Sequence, residues 1–441
     1  MQNLNTKETM ARGVIVLNVS EMPQENISVG KGQNYLLVGD NAIWLKKIPD
    51  NSIDSIVTDP PAGISFMGRG WDTDKGGRDH WIAWMQEVAT ECKRVLKPGG
   101  HAFVWAIPRT SHWTATAWEN AGFEIRDVVA HIFGSGFPKS LNIGKAVDKL
   151  QGNEREETRD RTGAMNNSDN SQAQSFTKGD VGFKTHFTET KGTSEWEGWG
   201  TALKPAREDW LLMRKPLAEK TVAENCLKYG IGGINIDESR VEANEELGRN
   251  NNARTEGTSY VVQKETMRID NSNGKRFPAN LIHDGSDEVL ELFPMTKSKG
   301  HFPSNNKNGE SIFNTNHLEQ EEKWFADYGS AARFFYCAKA SKSERNRGCE
   351  GLEEKEGIRT NAPREDEDVK TPKRTNNHPT VKPIALMEYL IKMVTPKGGI
   401  VLDPFAGSGS TLVAAKQNGF QYIGIEMTAE YIPIIEARLN N

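Results

Sequence analysis

Asp59-Pro60-Pro61-Ala62 is the first stretch of this chain whose residue types could do chemistry. The segment before it carries apolar Ile53, Ile56 and Val57, a short buried-strand signal. Two prolines end that strand, because they donate no backbone hydrogen bond and restrict their neighbours. An acid is thereby held at a strand's carboxyl end, the place where open α/β sheets bind ligands. The Asp59 carboxylate and the Pro60 carbonyl are two aimed acceptors, and they suit the two hydrogens of an exocyclic amino group. Taken alone, the tetrapeptide also reads as a polar strand cap before a Pro-rich loop.

The second such stretch is Leu402-Asp403-Pro404-Phe405-Ala406-Gly407-Ser408-Gly409-Ser410-Thr411. It passes from strand to helix through two glycines, so the backbone turns tightly and can approach a ligand closely. It has neither the lysine of a phosphate-binding P-loop nor the third glycine of the dinucleotide fingerprint. Glu426 ends the following strand, where an acid can take both hydroxyls of a ribose.

These residues need a framework of strands and helices. Tyr35 to Val38 followed by Gly39-Asp40 reads as a strand ending in an acid, and Ala42 to Ile48 as a short helical segment. Ile82, Met85, Val88, Ala89, Cys92 and Leu96 recur at helical spacing over Trp81 to Leu96, a helix that Lys97-Pro98-Gly99-Gly100 stops. His101 to Ala106 reads as a strand, Thr114 to Ala121 as a helix, and Asp127 to Phe133 and Asp209 to Met213 as strands. Regular patterning returns after His378. A helix carrying Ile384, Met387, Leu390, Ile391 and Val394 precedes the strand that ends at Asp403, a helix over Ser410 to Gln417 follows, and Pro433 kinks or starts the last helix. The alternation predicts a doubly wound α/β sheet.

At 441 residues the chain exceeds one ordinary domain. Its net charge of -5 argues against a wholly basic binder, although local basic runs can hold phosphates. Lys339, Lys342, Arg345, Arg347, Lys370, Lys373 and Arg374 form such runs. Cys92, Cys226, Cys337 and Cys349 lack C-x-x-C spacing, so reduced thiols are expected, with no metal site and no disulfide framework. No signal-peptide pattern and no bilayer-length apolar stretch is present, and a cytoplasmic location without membrane contact is expected. Residues 151–195 are polar with few apolar anchors and read as a mobile insertion, and residues 1–33 as an arm or an extra strand.

The glycine loop resembles the cofactor loop of S-adenosylmethionine-dependent DNA amino-methyltransferases, and Asp59-Pro60-Pro61-Ala62 resembles their catalytic D-P-P-Y. His378-Pro379-Thr380-Val381-Lys382-Pro383 is similar to the segment before that loop in the beta group, whose motif order is catalytic motif, target-recognition domain, cofactor loop. The resemblance implies a Rossmann-like class I methyltransferase fold, circularly permuted, with an inserted target-recognition domain. It divides the chain into an extension (1–33), a catalytic half (34–150), the polar insertion (151–195), a return to the sheet (196–215), target recognition (216–375) and a cofactor half (376–441). By position it implies that Asp403, Phe405, Gly407 and Gly409 line S-adenosylmethionine, that Glu426 takes its ribose and Asp40 its adenine, and that Thr380 and Lys382 hold its methionine carboxylate.

The implied activity is site-specific transfer to adenine N6 in DNA, with Asp59, Pro60 and Pro61 catalytic. Asp at the first catalytic position leans toward adenine, because N4-cytosine enzymes more often carry Ser there; cytosine N4 is the alternative, and an inactive DNA-binding relative is another. C5-cytosine chemistry is disfavoured, since no cysteine follows a proline. Ala62 departs from the family's aromatic, and Phe66 and Trp71 are the candidates for stacking on the target base. Trp196 to Gly200, with Pro205 and Glu208, is a further candidate wall. Beta-group relatives often pair, so a homodimer is a partner that the resemblance admits beside DNA, and a cognate restriction enzyme is another that the sequence leaves open.

Overall fold

The structure is a computed structural model that describes residues 13–30, 32–136, 140–162, 186–242, 275–297, 328–339, 343–356 and 373–441. Ten strands form its main sheet: β1 (Val14–Asn18), β2 (Asn34–Val38), β3 (Ile53–Thr58), β4 (Leu96–Ala106), β5 (Glu124–Ile132), β6 (Arg207–Arg214), β7 (Leu281–His283), β8 (Tyr336–Cys337), β9 (Ile400–Asp403) and β10 (Gln421–Glu426). Across the sheet they run β1-β2-β10-β9-β3-β4-β6-β5-β7-β8. Every neighbouring pair is parallel except the two that involve β6. The expected α/β class is therefore met, and the last two strands of the chain lodge between β2 and β3, which the N-terminal part supplies.

The helices are α1 (Asn41–Trp44), α2 (Arg78–Val95), α3 (Ser111–Asn120), α4 (Ile143–Gln151), α5 (Val222–Tyr229), α6 (Ile384–Val394), α7 (Ser410–Gln417) and α8 (Ile432–Leu439), beside one short turn at Asp287–Leu290. On α2 the predicted stripe of Ile82, Met85, Val88, Ala89 and Cys92 is buried, and with Trp118 of α3 it packs on one sheet face. Leu96 belongs to β4 instead of closing the helix, because the α2 backbone turns to extended conformation at that residue. Leu386, Met387, Leu390, Ile391 and Val394 of α6 join Leu412, Ala414 and Ala415 of α7 in the core on the other face. Pro433 stands in the first turn of α8, where its missing amide costs nothing.

Buried polar groups fasten the centre of the sheet. Asp54 of β3 pairs with Lys97 at 2.6 Å and accepts the Ile400 amide at 2.8 Å, while the Ser55 and Thr395 hydroxyls are 2.7 Å apart. Each is paired, as burial of polar atoms demands.

Three sequence expectations are sharpened. The N-terminal apolar run is an extra strand, β1, parallel to β2 at the sheet edge. Within the stretch assigned to target recognition, β7 and β8 extend the opposite edge, so that stretch supplies sheet as well as loops. In the polar insertion Glu156–Thr162 pairs antiparallel with His186–Lys191, whereas residues 163–185, on which the expected mobility mostly rests, lie outside the described residues, as do Lys342 and Lys370. Among the described residues no helix is long and apolar enough to cross a membrane.

Candidate active site

β3 and β9 are adjacent, but the strands that follow them lie on opposite sides, β4 beyond β3 and β10 beyond β9. Such a reversal opens a crevice at the carboxyl ends of the two strands. Asp59 emerges from β3 on one side of it, and Asp403 ends β9 on the other. The Thr58 hydroxyl donates to the Asp403 carboxylate at 2.7 Å, and the Phe405 amide donates to the same oxygen at 3.1 Å. One buried carboxylate thus ties the Asp59 segment to the start of the glycine loop, across more than three hundred residues of sequence. Burial pushes the Asp403 carboxyl up, against the hydrogen bonds from Thr411, Thr58 and Phe405.

Asp59 has close charged neighbours. The Lys382 ammonium lies 3.5 Å from Asp59, donates to Glu208 at 3.2 Å, and sits 3.9 Å from the centre of the Trp105 ring. Burial pushes the Asp59 carboxyl up to about 7; Lys382 opposes the rise, and Glu208 and Asp403 add to it. Glu208 is half-buried, which disfavours its charge, yet Lys382, the Trp105 indole and His131 outweigh that and hold its carboxyl below the usual range. His131 faces Glu208 across the β5–β6 register, and burial pushes its ring down, against the pull of Glu208.

The glycine loop is shaped by its own acceptors. Glu426, at the end of β10, accepts the Gly407 amide and the Thr428 amide, each at 2.7 Å, and burial pushes its carboxyl up despite them. Gly407 has φ +55 and Gly409 φ +77. A Cβ on Gly407 would lie 3.0 Å from the His378 ring, and one on Gly409 3.0 Å from Ile435, so both turns require glycine. His378 is buried, and desolvation with Arg345 and Arg438 nearby pushes its ring down to about 3. The neutral ring accepts the Thr380 amide at Nδ1, 3.3 Å away, which brings Thr380 beside the loop. Phe405 meets Trp84 edge to face, with ring centres 6.0 Å apart.

Asp40 follows β2, the strand next to β10, and is exposed. Its carboxylate caps α1 by accepting the Ala42 amide at 2.8 Å. Asp40, Glu426, Asp403, Phe405, Gly407, Gly409 and Thr380 therefore gather around the carboxyl ends of β2, β10 and β9. Lys382, grouped with Thr380 in sequence, instead points its ammonium to the Asp59 side, while its carbonyl accepts the Ser410 hydroxyl at 2.9 Å.

The loop after the tetrapeptide is built around Asp72, which sequence reasoning missed. Its buried carboxylate accepts the Gly63 amide at 2.9 Å and the Phe66 amide at 2.7 Å. A Cβ on Gly63 would strike the Trp81 ring at 2.7 Å. Pro60 is buried and Pro61 half-buried, and the Ala62 carbonyl accepts the Thr110 hydroxyl at 2.9 Å. Phe66 and Trp71 are both half-buried, and the Trp71 indole lies beside the Tyr431 hydroxyl. Arg69 reaches Glu430 at 3.4 Å, a second tie from this loop to the C-terminal segment. Of the further wall expected around Trp196 to Glu208, only Glu208 is shown to reach Asp59's neighbourhood. Trp196 and Trp199 pack on one another at 5.1 Å, exposed, where the Ile143 amide at the start of α4 holds the Trp199 carbonyl.

Comparison with known proteins gives four findings. The profile of the N6 and N4 DNA methylase family matches residues 53–150 and 269–437, more than half of the chain. Type II methyltransferase M.HindIII of Haemophilus influenzae is 21% identical over 422 residues, 88% of this chain and 89% of that protein. DNA adenine methyltransferase YhdJ of Escherichia coli is 48% identical over 64 residues, which span 14% of this chain and 22% of that protein. Among solved structures, PvuII DNA methyltransferase, described as cytosine-N4-specific, aligns over 91% of this chain and 85% of its own with a TM-score of 0.39 and 13% identity.

Proposed function

This chain belongs to the DNA methylase family, and on that footing we propose that it transfers a methyl group from S-adenosylmethionine to the N6 amino group of adenine in DNA. The observation that carries the reading is the Thr58–Asp403 hydrogen bond of 2.7 Å, which joins the Asp59 tetrapeptide to the glycine loop at one crevice. An amino acceptor and a glycine cradle thereby share a wall.

The residues on the cofactor side fit S-adenosylmethionine. Gly407 and Gly409 keep the loop free of side chains, the Glu426 carboxylate is fixed by two amides and keeps acceptor capacity for ribose hydroxyls, and the Phe405 ring is braced by Trp84. When bound, the cofactor supplies an electrophilic sulfonium methyl.

The target base has to leave the duplex, since its amino nitrogen cannot meet that methyl inside the stack. Asp59 then accepts one amino hydrogen and the Pro60 carbonyl the other, which turns the nitrogen lone pair toward the methyl carbon. The nitrogen–carbon bond forms as the carbon–sulfur bond breaks. The nitrogen becomes cationic, and Asp59, with its carboxyl pushed up to about 7, is basic enough to take the surplus proton. No covalent enzyme intermediate is required; positioning and electrostatics do the work.

The test is to incubate the protein with methyl-labelled S-adenosylmethionine and mixed-sequence DNA, digest, and identify the labelled nucleoside. Label in N6-methyladenine is the expected result. Label in N4-methylcytosine would replace the adenine assignment, and DNA binding without transfer would remove the enzymatic one.

A further inference from the structure

The motif that carries Lys382 places it, by resemblance, at the methionine carboxylate of the cofactor. The geometry gives its ammonium different company. It lies 3.5 Å from Asp59 and 3.2 Å from Glu208, over the Trp105 ring at 3.9 Å, and its side chain is 9% exposed. An ammonium has three hydrogens to give. Here two acceptors and an aromatic face already surround it. The backbone is held as well, because the Ser410 hydroxyl donates to the Lys382 carbonyl at 2.9 Å.

We infer that Lys382 is a positioning residue of the transfer step, holding the Asp59 carboxylate ionised and aimed, with Glu208 fixing Lys382 in that place. The inference rests on the proposed methyl transfer and assigns a further division of labour within that site. Four charged or titratable side chains bear on the arrangement: Lys382 from the segment before α6, Glu208 from β6, Asp403 from β9, and His131 from β5, which faces Glu208. Two carboxylates share one ammonium, with a third carboxylate close by. With three carboxylates to one ammonium, negative charge is in excess, so one member is easily protonated. That member is Asp59, whose carboxyl is pushed up to about 7, while Glu208 is held below the usual range.

Lys382 lowers the Asp59 value and Glu208 raises it. Loss of the ammonium therefore moves Asp59 ionisation to higher pH, and neutralising Glu208 moves it to lower pH. An acceptor of amino hydrogens works in its ionised form, so the acid limb of the rate follows it. A residue that only supported the fold would move the limb in neither pattern.

The experiment is a set of pH–rate profiles for wild type, Lys382→Met, Lys382→Arg and Glu208→Gln, with calorimetric affinity for S-adenosylhomocysteine on each. Wild type should show an acid limb near pH 7, falling about tenfold per pH unit below it. Lys382→Met should lose about a hundredfold in kcat at neutral pH, the scale of removing one preorganised electrostatic partner. Its limb should move alkaline while affinity for S-adenosylhomocysteine is kept. Lys382→Arg should recover much of the rate, and Glu208→Gln should move the limb acid.

Should Lys382→Met fail to fold, the acid shift in Glu208→Gln still decides. Affinity for S-adenosylhomocysteine falling in step with kcat, with the limb unmoved, would overturn the inference and return Lys382 to the cofactor. Shifts in the same direction for both substitutions would overturn it too. Absence of transfer by wild type would strike the functional reading itself, and the inference with it.

Discussion

Asp59→Ala should lower single-turnover methyl transfer by about a thousandfold or more, because it removes an electrostatic acceptor and a proton acceptor together. Affinity for S-adenosylhomocysteine should stay close to wild type. The reason is spatial: Glu426, Gly407 and Phe405 hold their own hydrogen bonds and ring contacts without Asp59. The fold should survive, since Lys382 keeps its bond to Glu208 at 3.2 Å and one half-buried negative charge is gone. Asp59→Asn keeps the shape and one acceptor, so it should retain more activity than Asp59→Ala and lose the acid limb. Equal loss of transfer and of cofactor affinity in Asp59→Ala would show that the two sides of the crevice are not divided as described. Stability has its own signature. The folded-state Asp59 value is raised, so its contribution is present below its ordinary range and is lost as pH rises through about 7. Asp59→Asn should therefore gain thermal stability relative to wild type on going from acid to neutral pH.

Glu426→Ala should give the opposite kinetic pattern, a large rise in the KM for S-adenosylmethionine with a smaller change in kcat at saturation. Two effects add. The Gly407 and Thr428 amides lose a shared carboxylate acceptor, and the ribose hydroxyls lose theirs. Hydrogen bonds to a charged group are worth about 1.5–3 kcal/mol each, so affinity should fall by about a hundredfold or more. Glu426→Gln keeps the shape with weaker acceptors and should fall between. Titration calorimetry with S-adenosylhomocysteine reads the difference, and wild-type affinity in Glu426→Ala would remove Glu426 from the cofactor site.

Much of the frame was legible because local signals and burial agree. Asp59 and Asp403 stand at strand ends that prolines and glycines terminate, and the α2 stripe from Ile82 to Cys92 is buried as its spacing requires. What was not legible depends on contacts remote in sequence. Nothing near Asp72 signals that its carboxylate is buried and collects the Gly63 and Phe66 amides. Lys382 reads as a cofactor residue from its motif, yet its side chain is long, and only the fold decides which end of the crevice it serves. Glu208 enters that crevice because β6 alone runs antiparallel, so the start of this strand meets the carboxyl ends of its neighbours. A one-residue pattern cannot reveal that reversal. Ala62 led attention to Phe66 and Trp71 for the missing aromatic; both lie in the loop that Asp72 shapes and that Arg69 ties to Glu430, with Trp71 beside Tyr431.

In the proposed reaction a target amino group and the methyl donor meet between Asp59 and the glycine loop. A crystal structure of the protein with a methylatable duplex and a non-reactive analogue of S-adenosylmethionine would show that meeting point. The expected result is an extrahelical base whose amino nitrogen lies about 3 Å from an Asp59 oxygen, with the analogue's ribose on Glu426. A base held away from Asp59, or an analogue bound elsewhere than at Gly407 and Glu426, would contradict it.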